Sequence, residues 1–260
     1  MDVELTKKSK LERKMIRKTA IIIGASSDIG KETAKEMAKS GYNLALTYNS
    51  NDFDTDFLAE SELKNIYVKT YKLDLKNGEE ILNFFKKLPE DFKTFDSLIF
   101  CAGISQKRKI IFDVTDQEID DLFDINIKSA IKCVREFVKI VIDKNEASIV
   151  LVGSFVEKNG CSCESVYAST KSAMSGLCRS LACELGNFKI RINVVAPGFI
   201  DTKMNNNLST AEKEDISSMT PLQRLGTTKD VSKAISYLAT DSSSYVTGQT
   251  IYIDGGLLLQ

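Results

Sequence analysis

Ala20-Ile21-Ile22-Ile23-Gly24-Ala25-Ser26-Ser27-Asp28-Ile29-Gly30 is a short apolar run that breaks at a glycine turn and continues with helical periodicity. The isoleucine run reads as a buried strand, and Ile29–Lys39 reads as the helix that follows it. A turn of small residues at such a junction lets the main chain approach a pyrophosphate, where helix amides and the macrodipole favour anions. The same turn could also end a strand for purely structural reasons. Outward from it the alternation repeats. Strands are expected at Ala20–Ile23, Leu44–Tyr48, Ile66–Tyr71, Leu98–Cys101, Ser148–Val152, Ile192–Ala196 and Thr250–Ile253. Helices are expected near Ile29–Lys39, Gly78–Lys87, Gln117–Ile142, Ser165–Leu185 and Lys229–Ala239. This order predicts an α/β chain, a doubly wound parallel sheet with helices on both faces. Nothing marks an internal boundary, so residues 18–260 are expected to form one domain behind a basic extension, residues 1–17.

Composition removes several function classes. The 35 basic and 36 acidic residues leave a net charge of −1, which argues against a nucleic-acid partner. No apolar run approaches the roughly 20 residues of a membrane span. The charged start, Met1 to Lys18, lacks the apolar centre of a secretory signal, so a cytoplasmic location is expected. The six cysteines contain no Cys-x-x-Cys pair, which favours free thiols over a metal site. There is no histidine. Acid–base work near neutrality therefore falls to Tyr, Lys, Asp, Glu or Cys.

Tyr167 and Lys171, four apart on an expected helix, share one face. Lowering a phenol by about three units takes roughly 4 kcal/mol. A cation at about 4 Å in a partly screened site supplies energy of that order. Lys171 is therefore expected to depress Tyr167. As a bare spacing the pair is also common on surfaces. Thirteen positions upstream, Gly153-Ser154 follows a central strand, where open α/β sheets bind ligands.

Taken together, these stretches resemble the short-chain dehydrogenase/reductase family. The turn is similar to the family's T-G-x-x-x-G-x-G, with Ile23 for the threonine and Asp28 for the middle glycine. Asp28 is expected to face solvent or to cap the helix. Ser154, Tyr167 and Lys171 resemble the Ser-Tyr-Lys triad, and Asn126 completes its tetrad. Ala196-Pro197-Gly198-Phe199-Ile200-Asp201-Thr202 resembles the Pro-Gly turn, and Asp254-Gly255-Gly256 the family's end. Phe100-Cys101-Ala102-Gly103 stands where the family has Asn-Asn-Ala-Gly. Cys101 there is either a reactive thiol or a small buried strand residue.

The resemblance, spanning about Lys18 to Gly256, implies a Rossmann-type domain with a seven-stranded parallel sheet. It implies hydride transfer to a ketone while Tyr167 protonates the oxygen, Ser154 hydrogen-bonds it, Lys171 grips the ribose and Asn126 holds a water. Cofactor contacts are implied for Gly24, Ser26, Ser27, Asp28, Ile29, Gly30, Tyr48, Asn49, Asp74 and Leu75. They are implied also for Cys101, Ala102, Gly103, Tyr167, Lys171, Pro197, Gly198, Ile200 and Thr202. Asp74 reads equally as a solvated acid. The second strand ends Thr47-Tyr48-Asn49-Ser50-Asn51, with its first acid, Asp52, beyond it, which favours NADP(H) over NAD(H). The arginine many NADP members carry in the turn is replaced by Ser27.

The likeness is greatest to 3-oxoacyl-(acyl-carrier-protein) reductases, through Asn193–Ile200 and Pro221–Gly226. Relatives acting on small alcohols, sugars or steroids share these stretches, and a non-catalytic dinucleotide sensor is a further alternative. Two positions where the carrier-using reductases tend to hold arginine are Asn145 and Phe188 here, beside Lys144 and Lys189. The resemblance also implies a homotetramer packed through 117–142 and 165–185. Asp201–Met219, polar and glycine-free, is expected to form a lid.

Overall fold

A computed structural model describes residues 17–49, 55–56, 58, 65–144, 146–206 and 208–259. Residues 1–16, Asp52 and Asn145 lie outside the described residues. The strands are β1 (Thr19–Ile23), β2 (Asn43–Tyr48), β3 (Val68–Lys72), β4 (Ser97–Phe100), β5 (Ala147–Val152), β6 (Ile190–Pro197) and β7 (Thr250–Ile253). They form one sheet of order β3-β2-β1-β4-β5-β6-β7. Every neighbouring pair is parallel. The seven expected strands are all present, β7 with the expected bounds and the other six shifted by a residue or two at one or both ends. β3 is the exposed edge and begins two residues later than expected.

Side chains alternate across the sheet because successive Cβ atoms point to opposite faces. Ile21, Ile23, Leu98, Phe100, Ile149 and Leu151 face one layer of helices, α2 (Gly78–Asp91), α4 (Ser129–Val141) and α6 (Ser165–Leu185). Ala20, Ile22, Ile99, Val150 and Val152 face α1 (Asp28–Lys39) and α8 (Thr228–Ala239). Both faces are buried, so the strands read as continuous apolar runs rather than alternating ones. The two strand serines that interrupt these runs hold the end of α8. Ser97 Oγ donates to the Ala239 carbonyl and Ser148 Oγ to that of Leu238, each at 2.7 Å.

One expected helix is not continuous. Between α3 (Asp116–Phe123) and α4, residues Asp124–Lys128 form a π-helical turn. Ser129 Oγ donates to the Ile125 carbonyl at 2.6 Å beside it. The expected lid is a 3-10 turn (Lys203–Asn205) followed by α7 (Thr210–Met219), which is closed by a Ser209/Glu212 capping box. A short helix, α5 (Val156–Asn159), follows Ser154. Among the described residues, no helix is long and apolar enough to cross a membrane.

Candidate active site

The chain turns from β1 into α1 through Gly24, whose φ of +79° L-residues rarely adopt. A Cβ there would lie 2.7 Å from the Ala102 main chain, so the turn sits directly against the end of β4. At Gly30 a Cβ would lie 2.4 Å from the Gly24 carbonyl oxygen. Two bonds from Thr47 hold the turn from the side. Its hydroxyl accepts from the Gly24 amide at 3.0 Å, and its carbonyl accepts from Ala25 at 2.8 Å. Ser27 is the N-cap, its Oγ accepting from the Gly30 amide at 3.0 Å. No protein acceptor takes the Asp28 or Ile29 amide among the described residues, as expected for the first turn of a helix. Both residues line a cavity of about 860 Å³.

Asp28, half-exposed, does not cap the helix, the second of the two roles expected of it. The helix is capped by Ser27, and the Asp28 carboxylate accepts from the main-chain amide of Lys203 at 2.8 Å. The departure from the family glycine therefore ties the glycine turn to the Lys203–Asn205 segment.

The same cavity is lined by Ser26, Ser27, Cys101, Gly103, Ser154, Tyr167 and Lys171. Pro197, Gly198, Ile200 and Thr202 line it as well. A smaller cavity, about 180 Å³, lies between the glycine turn and the ends of β2 and β3. Gly24, Tyr48, Asn49, Asp74, Leu75 and Ala102 line it, and Ser26, Ser27 and Gly103 border both. The two cavities lie where strand order reverses between β1 and β4, the usual ligand crevice of an open α/β sheet. Gly30 and Asn126 line neither. Asp74 carries a local bond, its Oδ1 accepting from the Lys76 amide at 2.9 Å.

Tyr167 lies in the first turn of α6, and Lys171 one turn on. Lys171 is buried, donates to the Val152 carbonyl at 2.9 Å and lies 5.6 Å from the centre of the Tyr167 ring. Burial pulls its ammonium down to about 8, opposed by Cys101 and Glu157. Burial also pushes the Tyr167 phenol up to about 12, against a hydrogen bond from Ser154 that draws it down. This corrects the expected direction: among the protein groups around the phenol, desolvation outweighs the hydrogen bond from Ser154. Burial disfavours the charged form of each group.

Asn126 is fully buried on the π-turn. Its Oδ1 accepts from the Ile104 amide at 2.8 Å. Its Nδ2 donates to the Ile104 carbonyl at 3.0 Å and to Thr170 Oγ1 at 3.1 Å. Both amide protons are thus taken by protein, and the side chain works as a clamp between the β4 exit and α6. Cys101, one residue past β4, is a small buried residue of the cavity wall, and burial pushes its thiol up to about 12, away from the reactive thiolate.

Three residues were missed from the sequence. Thr47 looks like any strand threonine, Thr170 like any helix residue, and Gln106 lies in a stretch with no motif. Only Thr47 had a local signal, a polar residue inside an apolar strand.

A family model described as enoyl-(acyl carrier protein) reductase matches residues 24–258. The chain is 31% identical over 245 residues to 3-oxoacyl-(acyl-carrier-protein) reductase FabG of Staphylococcus epidermidis, covering 94% of this chain and 100% of that one. It is 33% identical to the Bacillus subtilis oxidoreductase YmfI, covering 93% and 99%. Among solved structures it resembles ElxO with NADP bound, at 30% identity and a TM-score of 0.86, covering 94% of this chain and 100% of that one. A short-chain dehydrogenase/reductase of Serratia marcescens, at 25% identity, gives a TM-score of 0.85 over 94% and 99%. The match to the family runs from the glycine turn through the Ser154, Tyr167 and Lys171 cavity to the last turn, and the chain belongs to the short-chain dehydrogenase/reductase family, NAD(P)-dependent oxidoreductases of CH–OH and C=O groups.

Proposed function

We propose that the protein is an NADPH-dependent ketone reductase whose substrate is a 3-oxoacyl thioester carried on acyl carrier protein. The observation that carries the reading is the convergence of Ser154, Tyr167 and Lys171 on one cavity beside a helix N-terminus with free amides. Gly24 packs directly on Ala102, and Gly24, Ala102 and Gly103 together line the smaller cavity, where a dinucleotide can pass close to the main chain. Tyr48 and Asn49 put no carboxylate at the end of β2 to repel a ribose phosphate, and ElxO, a relative at 30% identity, has been solved with NADP bound.

A nicotinamide bound there supplies the hydride. Tyr167 supplies the proton. A phenol held near 12 is protonated at neutral pH, the form a proton donor needs. Ser154 donates to the same developing oxyanion, stabilisation that acts where charge appears. Lys171, anchored on the Val152 carbonyl, adds positive charge under the phenol and a donor for the ribose. Asn126 keeps Ile104 and Thr170 in register with it.

Tyr167→Phe is expected to lower kcat at least a thousandfold while NADPH still binds; turnover within tenfold of wild type would refute the assignment. An NADPH and NADH oxidation screen over acetoacetyl thioesters, simple ketones, sugars and steroids tests cofactor and substrate together. A second reading, a free small ketone or alcohol, is favoured by one observation. Phe188, at a position that tends to be arginine in carrier-using reductases, is 39% exposed and carries no charge. Assembly as a homotetramer through α3, α4 and α6 completes the proposal, with Ile131 exposed on α4. Sedimentation equilibrium tests it.

A further inference from the structure

The helix that carries Tyr167 begins without a cap of its own. Its N-cap, Glu164, makes no side-chain cap bond. The first intrahelical bond runs from the Ala168 amide to the Glu164 carbonyl at 2.9 Å, leaving the amides before it without helical partners. Two of those amides belong to Val166 and Tyr167. Both donate to one atom, Gln106 Oε1, each at 3.1 Å. The Nε2 of the same side chain donates to the Cys163 carbonyl at 3.3 Å. Gln106 is only 8% exposed and comes from the loop after β4, some 60 residues away in the chain.

We infer that Gln106 is a positioning residue, a cap supplied from a distant loop that fixes the main chain of Tyr167 relative to the cofactor crevice. The inference rests on Tyr167 being the proton donor. Its loop is itself tied down on both sides. Ile104 is held by Asn126, and the Lys109 amide donates to the Cys163 carbonyl at 3.0 Å. Gly103, in the same loop, borders both cavities. Gln106 therefore links the wall of the crevice directly to the backbone of the residue that must reach into it. Small displacements of a reacting group cost rate far more than they cost binding.

The carboxamide is chemically specific. It accepts from two amides and donates to a carbonyl, all without charge. A carboxylate would still accept from the amides and would suit the helix dipole. It would lose the bond to Cys163 and add a negative charge to the cavity that Gln106 shares with Tyr167, whose phenol already feels Glu164. Alanine would remove all three bonds.

The test uses the full-length protein and three variants. In Gln106→Ala, hydrogen exchange at the Val166 and Tyr167 amides should quicken at least tenfold. In the same variant kcat should fall about tenfold or more, with the NADPH dissociation constant, read by fluorescence, within about twofold. In Gln106→Glu, exchange should stay slow, and the alkaline limb of the pH–rate profile should move to higher pH. Tyr167→Phe run alongside separates the two readings. If it keeps turnover, the proton-donor assignment fails. If it is inactive while Gln106→Ala keeps wild-type kcat, or loses kcat and NADPH affinity together, the positioning role is overturned. Should Gln106→Ala not fold, Gln106→Glu decides: an unmoved pH profile overturns the inference.

Discussion

Gly24 and the Tyr167–Lys171 pair show how single positions set the site. At Gly24 two demands coincide, a positive φ and contact with the Ala102 main chain. Gly24→Ala should cost about 1–3 kcal/mol in strain and push β4 away from the turn. Urea unfolding should show the loss, and NADPH affinity should fall more than tenfold. The lysine gives a pH signature. Its folded value, about 8, lies below the ordinary 10.5, so the unfolded chain holds a proton that the folded protein releases. Stability therefore rises with pH across that window. Tyr167, shifted upward, acts in the opposite direction only above its ordinary 10. Between pH 8 and 10 the wild type should gain roughly 2–3 kcal/mol relative to Lys171→Met. Urea midpoints against pH would measure it, and a flat or falling difference would refute it.

At the scale of elements, the π-turn at Asp124–Lys128 and the Lys203–Asn205 segment do the positioning. The turn faces Asn126 inward, where its amide serves Ile104 and Thr170 together. Asn126→Ala would leave buried donors and acceptors unpaired, at a cost of about 2–4 kcal/mol for the set. Thermal unfolding should record that loss, together with a fall in kcat. The Asp28 bond to the Lys203 amide is a smaller, more exposed contact. Asp28→Ala should leave global stability within about 1 kcal/mol while amide exchange at Lys203 quickens. Unchanged exchange there would show that the bond does not hold the segment.

Across the whole molecule, the carboxyl ends of the strands collect the site, and the opposite end of the sheet is knotted by Arg191. Its guanidinium donates to the carbonyls of Leu238, Thr240 and Val246 and to Ser243 Oγ. Arg191→Leu should destabilise by about 2–4 kcal/mol without changing the specific activity of the folded fraction, since these contacts lie away from the crevice. Thermal unfolding alongside an active-site titration would check both halves. The sheet itself was legible because its signals are local: apolar runs of strand length, helical spacing between them, a glycine where the first strand turns. The Ser154, Tyr167 and Lys171 grouping was legible through its spacing and its likeness to a family. The π-turn was not, because one widened turn leaves helical periodicity almost unchanged. Neither the partner of Asp28, 175 residues away, nor the capping role of Gln106 could be read from short-range pattern.

By itself the sequence determined the strand–helix alternation, the place of the glycine turn and which side chains can do acid–base chemistry, histidine being absent. Residue type and local spacing suffice for these. Tertiary structure alone decided that the phenol and the ammonium are pushed toward their neutral forms, that Asn126 clamps rather than faces solvent, and that a glutamine caps the catalytic helix from outside. Each depends on burial or on a partner far along the chain, and desolvation and long-range hydrogen bonds exist only once the chain has packed.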